Sequence, residues 1–124
     1  MKTDLKEIEN TFKTMLKGLA PAIHIRKDNE KAFEAAGTIP AMQGKQKVDG
    51  YYFASVMPKP KDVRLYFFPI YTHPDAFSDV SDELRKCLKG KSCFHVKKLS
   101  PELETDFGSM VKKGAELYKK DGLI

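Results

Sequence analysis

Apolar residues near the start of the chain return at three- and four-residue steps: Leu5, Ile8, Phe12, Met15, Leu16 and Leu19. That spacing draws one stripe along an α-helix. Thr3 or Asp4 can cap its start, and Gly18 followed by Pro21 stops it. Lys6, Glu9, Lys13 and Lys17 fall on the opposite face. The pattern predicts a surface helix with one buried side.

The period then shortens towards two. Residues 22–26 read as a short strand and Asp28-Asn29 as a turn. Residues 31–37 read as a second strand, with Phe33 and Ala35 alternating with Ala32, Glu34 and Ala36, although the alanines also suit a helix. Pro40, Gly44 and Gly50 make residues 38–50 a long loop or an open hairpin end. Residues 51–57 form a stronger strand, and Pro58-Lys59-Pro60-Lys61-Asp62 turns the chain. In residues 63–68, Val63, Leu65 and Phe67 point one way, and Arg64, Tyr66 and Phe68 the other. Residues 71–77, around His73-Pro74-Asp75, read as a loop.

Ser81 can cap a helix with Asp82 and Glu83 in its first turn, a buried side of Leu84, Cys87 and Leu88, and Gly90 as its terminator. Residues 92–98 make the last strand. Ser100-Pro101-Glu102 is a helix start with a capping serine and a proline at the first position. The final helix should bury Leu103, Phe107, Met110, Val111, Gly114 and Tyr118, place Lys119 and Lys120 at its negative end, and close at Gly122. No regular βαβ alternation appears. The expected fold is α+β: an antiparallel β-sheet with N- and C-terminal helices packed mainly on one face, as a single domain over residues 1–124.

With 124 residues, 41% hydrophobic and 31% charged, the chain suits one ordered core rather than a disordered segment. MKTDLKEIEN has no apolar segment of the secretory kind, and the longest apolar stretch, near residues 65–70, is too short to span a bilayer. No membrane partner is expected. Two cysteines, Cys87 and Cys93, are expected as reduced thiols in the cytoplasm. The net charge of +5 suits an anion, a nucleic acid or an acidic surface, but composition bears on solubility before it bears on a partner, and a chain without a charged partner is the plainer reading.

Cys93 and His95 are spaced to share one face of a strand, where an imidazole can activate a thiol. No orienting third group is evident, so no catalytic residue is assigned, and a cysteine-dependent enzyme stays as an alternative. Cys87, Cys93 and His95 match no zinc spacing. The helix macrodipole already accounts for Asp79, Asp82 and Glu83 near a helix start, so no metal site is assigned.

The segment from Arg85 to Lys98 carries Arg85, Lys86, Lys89, Lys91, Lys97 and Lys98 without an acidic residue. Gly90-Lys91-Ser92 can offer backbone N–H groups, a cation and a hydroxyl to an anion, or can simply end a helix. If Tyr52, Arg64, Tyr66, His95 and Lys97 share one side of the sheet, that side is basic and aromatic. It would suit a small anionic or planar ligand. No nucleic-acid fold signature accompanies it, so nucleic acid is not expected. The candidate ligand-binding set is Tyr52, Arg64, Tyr66, Lys91, Ser92, Cys93, His95 and Lys97.

Gly90-Lys91-Ser92-Cys93-Phe94-His95-Val96-Lys97-Lys98, after Leu84-Arg85-Lys86-Cys87-Leu88-Lys89, resembles the C-terminal motif of the YdhG-like family, a domain of unknown function. Gly50-Tyr51-Tyr52-Phe53-Ala54, Tyr66-Phe67-Phe68-Pro69-Ile70-Tyr71 with His73-Pro74, and the ending Gly114-Ala115-Glu116-Leu117-Tyr118 with Asp121-Gly122-Leu123-Ile124 are similar to it too. The resemblance implies a compact α+β fold with an antiparallel sheet. One branch of that family is described as a frataxin-like iron chaperone, which makes iron the one cofactor the resemblance suggests. Transiently held ferrous iron prefers oxygen and nitrogen ligands, whereas this chain is basic and its acids are scattered.

Overall fold

The computed structural model describes all residues, Met1–Ile124. Helix α1 spans Leu5–Lys17, and Asp4 caps it by accepting from the Lys6 N–H at 3.3 Å. Ile8, Phe12 and Leu16 are buried as the spacing requires. Glu9 is a correction: expected on the polar face, it is buried at 3% exposure. Lys13 Nζ reaches its carboxylate at 2.7 Å and Lys6 Nζ at 3.5 Å. Lys13 and Lys17 themselves lie over the Phe33 ring, at 5.5 and 5.7 Å, so this flank of the helix is roofed by lysine stems.

The strands are β1 (Ile23–Asp28), β2 (Phe33–Gly37), β3 (Ala41–Gln43), β4 (Gln46–Val48), β5 (Tyr52–Pro58), β6 (Val63–Phe67) and β7 (Cys93–Val96). Five of them form one sheet in the order β1-β2-β5-β6-β7, antiparallel throughout. Strands β3 and β4 form a separate hairpin within residues 38–50. Gly44 turns it at φ 64, a backbone conformation that glycine adopts without strain.

After β6, Pro69–Thr72 forms the short helix α2 and Pro74–Phe77 a 3₁₀ turn, where a loop was expected over 71–77. Each starts on a proline, whose fixed φ suits a first helical position and whose missing N–H has no helical partner to lose. Helix α3 runs Asp82–Cys87, capped by Ser81, and α4 runs Pro101–Lys120, capped by Ser100.

Gly90 does not terminate α3. The helix ends because Leu88 turns extended, at φ −74 and ψ 116, and bridges Phe94. The Lys89 N–H donates to the Cys93 carbonyl at 2.8 Å, and Gly90, at φ 109, serves the turn between them. Of the side expected to be buried, only Leu84 is fully so; Cys87 and Leu88 are half-buried.

Helices α1 and α4 pack on the same side of the sheet. Val63, Leu65 and Phe67 of β6, Phe53 and Val56 of β5, and Phe94 and Val96 of β7 join them in one core. Phe107 of α4 meets Phe12 edge-on at 5.1 Å and Phe94 at 5.4 Å. Gly114 lies where a Cβ would come within 2.5 Å of Phe67 Cζ, so α4 reaches the sheet only because that position has no side chain. No helix is long and apolar enough to cross a membrane.

Candidate functional site: the open sheet face and a basic cavity at its edge

The register decides what the uncovered side of the sheet presents. Arg64 pairs with His95, Tyr66 with Cys93 and also with Ser55, and Ser55 with Glu34. Alternation therefore sends Glu34, Ser55, Arg64, Tyr66, Cys93 and His95 away from the helices. Tyr52 joins them: its hydroxyl lies 2.6 Å from Ser55 Oγ. This is the polar, aromatic face that the strand spacing suggested.

Its groups are already engaged with one another. Arg26 Nε donates to Glu34 at 2.5 Å, and Arg64 Nε to Asp62 Oδ1 at 3.3 Å. Burial pushes the Tyr52 phenol from 10.0 up to about 12. The Cys93 thiol and burial together raise Tyr66. Burial also raises Cys93, and the Tyr66 hydrogen bond and the Arg64 cation offset this only in part. Such a thiol stays protonated at neutral pH and is a weak nucleophile. His95 meets Asp62 rather than Cys93, with Nδ1 at 3.6 Å from Oδ2.

Lys91 and Ser92 lie at the other end of β7 from Lys97. The Ser92 carbonyl accepts from the Phe67 N–H at 2.8 Å, and Lys91 Nζ stands 5.6 Å from the Tyr71 ring. That end is an aromatic row in which Phe68 sits 5.6 Å from Tyr52 and 5.5 Å from Tyr71. The candidate set thus divides. Tyr52, Arg64, Tyr66, Cys93 and His95 share the sheet face, Lys91 and Ser92 flank one end, and Lys97 belongs with His95 at the other.

At that second end, between β7 and α3, lies a cavity of about 770 Å³. Lys86, Lys89, Lys97 and Lys98 line it, with His95, Cys87, Ser100 and the carboxylates of Asp62 and Glu83. Both carboxylates are occupied: Asp62 by Arg64 and His95, Glu83 by the Ser100 hydroxyl, which donates at 2.7 Å. None of the four lysines takes part in an ion pair. The chain offers a second concavity of about 770 Å³ beside the β3–β4 hairpin, but Arg26 there is held by Glu34 and Asp49 balances Lys47 in the lining.

Lys86, Lys89 and Lys98 belong to the basic run, whereas Asp62 comes from the β5–β6 turn and carried no signal in the sequence. A second constellation was equally hidden. His73 Nε2 lies 2.7 Å from Asp121 Oδ2 and Nδ1 lies 2.7 Å from Thr72 Oγ1, which ties α2 to the end of α4. Nowhere do three or more His, Cys, Asp or Glu side chains gather closely enough to hold a metal ion. Compared with protein-family models, with curated proteins and with solved structures, the chain finds no match in any of the three.

Proposed function

We propose that this chain binds a small multivalent anion, bearing phosphate or carboxylate groups, in the cavity between β7 and α3. The observation that carries this reading is the set of four lysines converging on one concavity without a carboxylate partner. Cations gathered around one cavity repel one another, and an anion relieves that repulsion. A volume of about 770 Å³ falls within the usual range for small-ligand sites. His95, whose Nδ1 lies 3.6 Å from Asp62 Oδ2, would supply a directional hydrogen bond through its other ring nitrogen.

The polar sheet face is the wall of this site rather than the site itself, because its hydrogen-bonding groups already serve one another. The YdhG-like resemblance forms part of the proposal without naming the ligand. Its iron-handling branch finds no gathered ligand set here, and the charge around the cavity favours an anion over a cation. A cytoplasmic setting belongs to the same reading: both cysteines are free thiols, the normal state in a reducing compartment.

Titration calorimetry with inorganic pyrophosphate, and separately with citrate, tests the proposal. Saturable binding is expected for at least one of them, weakening as salt is raised. At about 1 kcal/mol per lysine contact, Lys86→Ala with Lys97→Ala should weaken it at least about tenfold. Absence of saturable binding, or binding that the double variant leaves unchanged, would overturn the reading.

A further inference from the structure

Cys87 and Cys93 stand on either side of one turn and have opposite surroundings. Leu88 bridges Phe94 in antiparallel register, and Cys87, the last residue of α3, directly precedes that bridge. Cys87 lines the basic cavity together with His95, Lys86, Lys89 and Lys97. Cys93 is absent from its lining and lies opposite Tyr66 on the sheet face. Both thiols are free and half-buried.

We infer that the cavity directs anionic low-molecular-weight disulfides, the class to which oxidised glutathione belongs, onto Cys87, which forms a mixed disulfide with them. The inference rests on the anion-binding reading of the same cavity. Unpaired lysines concentrate an anionic reagent beside the one thiol in the lining. They do not make that thiol intrinsically reactive: burial, and then the Glu83 carboxylate, push Cys87 above its ordinary value, with Lys89 opposing. Selectivity therefore comes from docking of the reagent, and the rate rises with pH as thiolate forms.

The step is thiol–disulfide exchange. The Cys87 thiol gives its proton to solvent, or to the His95 imidazole facing the same cavity. The thiolate attacks one sulfur of RS–SR. The Cys87 S–SR bond forms, the RS–SR bond breaks, and RS⁻ leaves and takes up a proton. Cys87 is oxidised and the departing half of the reagent is reduced, so no other oxidant is required.

The test compares oxidised glutathione, which is anionic, with cystamine, which is cationic, on the reduced full chain at low salt. Rates at each cysteine are followed by peptide mass mapping and divided by those of a blocked free cysteine. For an electrostatically steered encounter, Cys87 should prefer the anionic disulfide by at least about tenfold. The preference should collapse to under about twofold in ~0.5 M salt or in Lys86→Ala with Lys97→Ala, because screening or loss of the charges removes the attraction. Cys93 should show no such preference, and Cys87→Ser should abolish the modification while leaving the fold intact. Equal normalised rates for the two reagents at Cys87, or the same preference at Cys93, would overturn the inference. If pyrophosphate or citrate still binds in that event, only the inference falls; if neither does, the anion reading falls with it.

Discussion

On β6, Val63, Leu65 and Phe67 go under the helices while Arg64 and Tyr66 face outward from the same strand. The covered side holds rings packed edge to face, such as Phe53 against Phe67 at 5.5 Å and Phe67 against Phe77 at 5.6 Å. The uncovered side holds a network of hydroxyl, thiol, guanidinium, imidazole and carboxylate groups. The difference teaches where stability and recognition reside. The first side has given up all contact with water and has little freedom to change. The second keeps Tyr52, Arg64, Tyr66, Cys93 and His95 partly exposed around the buried Ser55 and Asp62, and at the β7 edge it opens on a cavity where lysines outnumber the carboxylates that could pair with them.

The sharpest way to break this comparison is to truncate one ring on each side. Phe67→Ala should destabilise the chain by about 3–5 kcal/mol in chemical denaturation, since a fully buried ring leaves a cavity that its neighbours cannot fill. Tyr66→Phe, on the adjacent residue, should cost under about 1 kcal/mol. Equal losses would mean that the faces are not divided as described.

Alkaline pH sharpens the contrast through Tyr52. Its phenol titrates at 10.0 in the unfolded chain and at about 12 in the folded one. The unfolded state therefore loses its proton first, and stability present below pH 10 falls as pH rises towards about 12. The full loss is roughly 3 kcal/mol, at about 1.36 kcal/mol per unit. Tyr118, raised chiefly by burial, adds a loss in the same direction at higher pH. Denaturation curves of Tyr52→Phe at pH 9 and pH 11 should differ less than those of the wild type.

Gly114→Ala should cost about 1–3 kcal/mol, because the added methyl meets the buried Phe67 ring and forces α4 off the sheet. A neutral result in thermal denaturation would show that the helix has room to move. The smallest effect should come from Lys86→Ala with Lys97→Ala, which should shift stability by no more than about 0.5 kcal/mol while weakening anion binding. A large loss of stability would make these lysines structural.

The parts of this molecule legible in its sequence are those set by periodicity alone. All six residues expected on the buried stripe of α4 are buried there, and the strand alternation that exposes Arg64 and Tyr66 holds in β6. In β2 Ala36 is fully buried although it falls on the same face as Glu34, because the chain at Gly50 lies over it, where a Cβ would stand 3.7 Å from the Ala36 Cβ. Glu9 looked like a solvent-facing residue because its burial depends on lysines folding over it, which spacing does not record. The basic run around α3 and β7 was visible as composition. Its concave arrangement was not, since Asp62 and Ser100 reach the cavity only through tertiary packing, and the turn at Gly90 separates Lys91 from Lys97.

The most direct test of the central claim is a two-dimensional amide NMR titration of the full chain with inorganic pyrophosphate at low salt. Saturable shifts clustered at residues 86–89 and 95–100, with Tyr52 and Tyr66 unmoved, are the predicted result. Shifts centred on Tyr52, Tyr66 and Lys91 instead, or none that saturate, would contradict a basic cavity at the β7–α3 edge as the binding site.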